Sequence, residues 1–221
     1  MLAAWPSSAG EDEYALTIGA SGGTRILVLP ALFDEANKLR HFTVEVMRQL
    51  ERAGIASVLP DLPGCNESRA PLAYQSIETW REAATDAASF FGVTHVLTLR
   101  GGALVAPFRL PVLRYAPATG SSILRAMVRA RMISSKEAGI EENREALLEL
   151  GRHQGLELAG YRLGPRMIRE LETAEPADGA ALTNIAQGDL GGAGLWLRAE
   201  PDHDPSQADA LAALVVAELL A

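Results

Sequence analysis

Short apolar runs alternate with segments of helical period along this chain, and that alternation constrains its fold more than any other feature. TRILVLPAL (24–32) is too short and too uniformly apolar for a surface helix and reads as a buried strand. NKLRHFTVEVMRQLERAG then places Leu39, Phe42, Val46, Met47 and Leu50 at helical spacing and stops at Gly54. IASVLPDLPG returns as a second strand, residues 75–91 form another amphipathic helix, THVLTLRG is a third strand and PVLRYAPA a fourth. ALTNIAQ and GLWLRA read as late strands, and SQADALAALVVAELLA closes the chain as a helix capped by Ser206. Crossovers between parallel strands are right-handed, so helices cover both faces of the sheet. The expectation is an α/β fold: a doubly wound, mostly parallel sheet in a three-layer αβα sandwich, forming a single domain over 1–221.

Residues 120–152 break the alternation with helical sequence and are predicted to form a small lid over the sheet's carboxyl edge. There Ile123, Leu124, Met127 and Val128 share one face, while Arg125, Arg129 and Lys136 lie around another. As a lid the segment covers an apolar ligand and brings arginines to its charged end; as a core helix it does neither.

With 221 residues, 48% of them hydrophobic, the chain suffices for one substantial core. AAWPSSAGEDEY is the only stretch that reads as loose. No basic start followed by an apolar run, and no eighteen consecutive apolar residues, are present, so the expectation is a cytoplasmic protein without membrane insertion. Cys65 is the sole cysteine, which excludes an internal disulfide and a multi-cysteine zinc site. The four histidines have no metal-ligand spacing, and no glycine-rich phosphate loop follows a strand, so neither a metal nor a cofactor is expected.

The net charge of −8 argues against nucleic-acid binding. Its distribution is uneven. No acid lies between Asp86 and Glu137, yet Arg100, Arg109, Arg114, Arg125, Arg129, Arg131 and Lys136 do. Either these charges pair with acids elsewhere in the fold, or they line a pocket for an anionic small molecule.

Ligands in such sheets bind at the carboxyl ends of the strands. The first strand leads to Leu32, Phe33, Asp34 and Glu35, the second to Asp61 and the LPGCNES loop, and the third to Arg100, Gly101 and Gly102. The last leads to EPDHDP with His203. This order resembles the α/β-hydrolase superfamily. More narrowly, PALFDEANKLR with LPDLPGCNES, LRGGALVA and AGYRLGPRMIREL is similar to the hydrolase-like proteins associated with the bacterial exosortase A and exopolysaccharide system. The similarity runs from about residue 24 to the end, and the turn Asn37-Lys38-Leu39-Arg40 points to the narrower group.

In that superfamily a G-x-S-x-G elbow carries the nucleophile on a strained strand-to-helix turn. Two registers fit LTLRGGAL. With Arg100 at the apex, the flanks Thr98 and Gly102 are small but a bulky residue takes an unfavourable backbone angle; with Gly101 there, Leu99 replaces a small flank. Neither supplies a nucleophile. The resemblance implies arginine in the serine position, which favours Arg100 and makes the loss of acyl-enzyme chemistry an inherited feature.

His203 stands where a hydrolase keeps its base, although a lone histidine in an acidic loop is ordinarily a solvated surface residue. Asp189, then Asp178, are the nearest candidates for a third triad member, and Asp before Gly is also ordinary turn chemistry. Asp34, Glu35, Asn37 and Lys38 fall where an oxyanion hole is assembled, or simply place acids in the first turn of a helix. Cys65, and Ser121 with Ser122, have no base visible nearby. Two functions follow. The first is a hydrolase-fold protein without serine chemistry, binding a small ligand or a partner through Arg100, Gly101, Leu32, Phe33, Glu35, Asn37, Lys38 and Asp61, in an envelope exopolysaccharide or protein-sorting setting as the resemblance implies. The second is an ester or thioester hydrolase in which His203, oriented by Asp189, activates water while Arg100 stabilises charge.

Overall fold

A computed structural model describes residues 1–8, 10, 12–20, 23–107, 109–176 and 181–220. Its centre is a seven-stranded sheet built from β1 (Leu2–Pro6), β2 (Asp12–Ile18), β3 (Arg25–Leu29), β4 (Ala56–Pro60), β5 (His95–Leu99), β6 (Val112–Tyr115) and β9 (Leu182–Ile185). The spatial order is β1-β2-β4-β3-β5-β6-β9. From β4 to β9 every neighbour is parallel, whereas β1 and β2 are antiparallel additions at one edge.

Period-two alternation divides the sheet between two cores. In β3, Ile26 and Val28 face a layer made by α1 (Asp34–Arg52) and α7 (Pro205–Leu219), with Phe42, Val46, Met47, Leu211 and Val215. Leu27 and Leu29 face the opposite layer, where α2 (Ile77–Phe91) supplies Trp80, Ala83, Ala84 and Ala87. The same second layer takes in the helices inserted between β6 and β9: α3 (Gly120–Glu137), α4 (Arg144–Gln154) and α5 (Pro165–Thr173). A hairpin of β7 (Leu156–Leu158) and β8 (Tyr161–Leu163) joins α4 to α5, so the insertion continues beyond residue 152. A short helix, α6 (Gln187–Leu190), follows β9.

Three sequence expectations are corrected. AAWPSSAGEDEY is largely strand: β1 pairs with β2 from Leu2↔Leu16 to Pro6↔Asp12, and Trp5 is buried with its indole N–H donated to the Tyr14 carbonyl. GLWLRA is not a strand. Leu195–Leu197 form a 3-10 turn after Gly191 and Gly192, both at positive φ, and with Leu195 buried but Leu197 exposed the segment lacks the two-residue alternation of a paired strand. Finally, the cap of α7 is Asp204, whose carboxylate accepts the backbone N–H groups of Ser206 (3.1 Å) and Gln207 (3.3 Å). Ser206 sits two positions beyond the cap, because Pro205 takes the first helical position. Asp204→Ala should therefore cost about 1 kcal/mol in urea unfolding while Ser206→Ala costs little. The reverse order would restore Ser206 as the cap.

Candidate functional site

The chain passes from β3 to β4 on one side and then crosses to β5 on the other, so the carboxyl ends of β3 and β5 lie side by side at a topological switch point. Four non-glycine residues at this edge hold positive φ: Phe33 (56°) after β3, Asn66 (49°) after β4, Arg100 (51°) after β5 and Ala116 (44°) after β6. Left-handed backbone in L-residues costs about 1–2 kcal/mol each and gathers at functional sites.

Arg100 is the apex of the elbow. Its flanks explain the register: a Cβ on Gly102 would stand 2.5 Å from the Pro30 carbonyl oxygen and 2.6 Å from that of Leu29, so only glycine lets the elbow close against β3. Gly101 is similarly confined, its Cβ direction lying 2.6 Å from Ile123 Cδ1 and 3.1 Å from Leu32 Cγ. Arg100 donates through Nε to Glu35 Oε2 (3.0 Å) and through Nη2 to Glu35 Oε1 (3.1 Å), a forked pair, while Nη1 donates to the Ala116 carbonyl (2.8 Å). Trp196 stacks on the guanidinium, 4.1 Å from ring centroid to Cζ. The pair is largely shielded, with 16% of the Arg100 side chain and 21% of the Glu35 side chain exposed. Glu35 is held in place by the first turn of α1, which Phe33 enters at φ 56° and ψ −129°.

Beside this pair opens a cleft of about 270 Å³. Leu32, Phe33 and Trp196 form one wall; Ile123, Ala126, Met127 and Ala130 of α3 form the other; Asp34, Glu35 and Lys38 supply polar groups. Lys38 pairs with Asp34 at 2.9 Å. A smaller cavity of about 110 Å³ shares Leu32 and Phe33 and reaches Asn37, Cys65, Asn66 and Tyr161. Asn37 donates its amide to the Tyr161 hydroxyl at 3.0 Å, linking α1 to the hairpin of the insertion. Burial pushes the Cys65 thiol up to about 12, helped by the nearby charges of Asp61 and Glu13, so at neutral pH it is a protonated, inert thiol. Asp61 is buried and accepts from the Asn66 side-chain amide at 2.6 Å; burial raises its carboxyl from the ordinary range.

The structure thus brings Arg100, Gly101, Leu32, Phe33, Glu35 and Lys38 together, with Asn37 lining the adjoining cavity and Asp61 outside that lining, bonded to the lining residue Asn66. His203 and Asp189 lie apart from each other's hydrogen bonds. The His203 ring stacks on His41 of α1 (centroids 4.1 Å, planes 19° apart), and its Nδ1 is buried with no hydrogen-bond partner among the described residues. Six residues separate His41 from Glu35, which is roughly 9 Å along the helix axis. Asp189 turns back on its own short helix, where Oδ2 accepts the Ala186 N–H at 2.7 Å. Asp178 lies outside the described residues. Sequence reasoning missed Trp196, the Ala116 carbonyl and Tyr161. Trp196 was hidden in a segment read as strand, and nothing in the sequence marks a backbone carbonyl as a ligand. Among the described residues no cluster of three or more His, Cys, Asp or Glu side chains is placed to hold a metal, and no helix is long and apolar enough to cross a membrane.

Solved structures share this architecture. Est1E from Butyrivibrio proteoclasticus, a structure with ferulic acid bound, superposes with a TM-score of 0.61 at 13% identity over 99% of this chain and 100% of its own. The esterase EaEST from Exiguobacterium antarcticum gives 0.50 at 16% identity, covering 83% of this chain and 79% of its own. The alpha/beta hydrolase GrgF from Penicillium sp. sh18 is matched over only 56% of its length, with 17% identity and a TM-score of 0.48. No family model and no curated protein matches the sequence. The fold is that of the α/β-hydrolases.

Two measurements check this geometry. Arg100→Ala should destabilise the fold by about 2–3 kcal/mol in urea unfolding, since it strips a shielded carboxylate of its partner. A cycle with Glu35→Ala should return a coupling of about 1–2 kcal/mol. Additive effects would mean that the fork contributes nothing. For Cys65, labelling by Ellman's reagent at pH 8 should be at least about 100-fold slower in the native protein than in denaturant; equal rates would contradict the half-buried, protonated thiol.

Proposed function

We propose that this chain uses the α/β-hydrolase fold for binding, without serine-hydrolase chemistry. The observation that carries this reading is the state of Arg100. It occupies the strained apex where a nucleophile would stand, and its fork is engaged by Glu35 and its remaining terminal nitrogen by the Ala116 carbonyl. An arginine so paired neither attacks a carbonyl nor receives an external anion without first displacing Glu35. The ligand therefore belongs in the 270 Å³ cleft alongside, where apolar walls from α3 and from the β3 loop outweigh one lysine already paired with Asp34. That favours a small, mainly apolar molecule whose polar end meets Lys38 and Asp34. The similarity to the exosortase-associated proteins supplies the setting, envelope exopolysaccharide or protein-sorting work. In the competing reading His203 activates water, but its stacking on His41 and its unpartnered Nδ1 give it no orienting acid.

The expected outcome is that p-nitrophenyl acetate and butyrate are turned over at the buffer rate, and that Arg100→Ser stays within about tenfold of wild type because no base stands behind the new hydroxyl. Efficient wild-type hydrolysis blocked by a serine-directed phosphonate would overturn the reading, as would a gain of about 100-fold or more in Arg100→Ser. For the cleft, small molecules extracted from protein purified from its own host should include a compound retained by wild type and lost when Ala130→Trp fills the space. Identical extracts from the two would remove the cleft as the binding site.

A further inference from the structure

Helix α3 has a second working face. Ile123, Ala126, Met127 and Ala130 look into the cleft described above, while Arg125, Val128, Arg129, Met132, Ile133 and Lys136 line a separate groove of about 470 Å³. At 3.6 residues per turn these two sets fall on opposite sides of the helix. Arg144, the first residue of α4, completes the groove.

The chemistry of this groove is two-fold. Its floor is apolar, formed by Val128, Met132 and Ile133, and Ile133 remains 51% exposed. Around that floor stand four cations, Arg125, Arg129, Lys136 and Arg144, none of which makes an ion pair among the described residues. Their neighbour Arg131 shows what a satisfied arginine looks like here, with a fork on Glu142 at 2.6 and 3.1 Å. Four unpaired cations on one apolar groove stand out in a chain of net charge −8. Arg125, Val128 and Arg144 also line an adjoining hollow of about 150 Å³ with Ser121, so the two arginines stand at the junction of an apolar channel and a polar end. The acid in that hollow, Glu172, is already held by Arg152 at 2.7 and 3.0 Å and leaves the arginines free for another anion.

We infer that this groove binds a single-chain amphiphile with a carboxylate head, the head held between Arg125 and Arg144 and the alkyl tail laid over Val128, Met132 and Ile133. Size decides against a protein partner: seven residues line the groove, whereas a standard protein interface engages about 20–30 on each side. A flat lipid surface is disfavoured by the exposed acids Glu137, Glu141 and Glu145 where α3 ends and α4 begins. Arginine suits the head because its planar fork matches a carboxylate.

The probes are sodium dodecanoate below its micelle concentration, dodecanol and dodecyltrimethylammonium, titrated by calorimetry into the full chain. Dodecanoate should bind saturably, at least about tenfold more tightly than either of the others, and more weakly as salt is added. Arg125→Gln with Arg144→Gln should lower its affinity by about tenfold or more without moving the melting temperature of the free protein, since neither side chain has a partner to lose among the described residues. Ile133→Asp should weaken it as well. Ala130→Trp, which fills the other face of the helix, should leave it unchanged, keeping this site distinct from the proposed cleft. Absent dodecanoate binding, equal affinity for dodecanol, or indifference to the double arginine variant would overturn the inference. Loss on Ala130→Trp would overturn it too, by moving the anion into the cleft. Flotation of the protein with vesicles of about 30% phosphatidylglycerol in phosphatidylcholine, without binding of the monomer, would assign the patch to a membrane surface and likewise overturn it.

Discussion

The close approach of the elbow to the end of β3 governs the whole carboxyl edge of the sheet. Gly102 passes so near the Leu29 and Pro30 carbonyls that no side chain fits, and this contact forces the preceding turn to place Arg100 at φ 51°. The guanidinium then projects beneath Trp196 into a largely shielded space, where a lone cation would be costly. Glu35 removes that cost, and it can do so only because Phe33 turns the chain sharply enough for α1 to begin with its acids facing the elbow. Ala116, also at positive φ, offers its carbonyl to the remaining terminal nitrogen. Three strained backbones and one forked ion pair therefore support one another. A serine at the apex would leave Glu35 and the Ala116 carbonyl without their donors, so the rest of the site is built around arginine.

How far such a site can be read from sequence depends on which physical signal carries it. Strands β3 to β6 were legible because burial on both faces leaves near-continuous apolar runs. β1 and β2 were not, since an antiparallel edge buries only alternate residues, and Asp12, Glu13 and Thr17 give the segment a polar look. The elbow register was legible in part: the residues left Arg100 and Gly101 both open, since small flanks favour the first and a free backbone angle the second, and it was the resemblance that favoured Arg100. The sequence puts three acids, Asp34, Glu35 and Asp61, at the neighbouring strand ends, and which of them pairs with Arg100 rests on backbone angles at Phe33 that no residue type announces. The coverage of Arg100 by Trp196 comes from a turn whose six residues look like a strand, and only the lack of a paired neighbour shows otherwise.

That missing strand also decides where His203 stands. With the sheet ending at β9, no strand end carries the EPDHDP loop to the elbow. The glycines at 191, 192 and 194 instead turn the chain so that Trp196 reaches Arg100 and the loop runs on past α1. Asp204 then begins α7 at once, and α7 packs along α1, which leaves His203 stacked against His41. The aromatic ring over the elbow is therefore Trp196, an apolar cover that suits a binding cleft better than proton transfer.

The cations between Asp86 and Glu137 posed a choice between internal pairing and a site for anions. The structure divides them by depth and by helix face. Arg100 is taken by Glu35 at the elbow and Arg131 by Glu142 at the join of α3 and α4, so these two serve the fold. Arg125, Arg129 and Lys136 lie on the face of α3 turned away from the cleft, where they make no ion pair among the described residues. The shielded Arg100 and Arg131 are thus paired, where an unpaired charge would be expensive, while the exposed Arg125, Arg129 and Lys136 stand in solvent that makes an unpaired charge cheap to keep. A cation that need not be paired for stability is one that remains available to a ligand, and that is the ground on which the carboxylate site is proposed for the outer side of the inserted helix instead of the elbow.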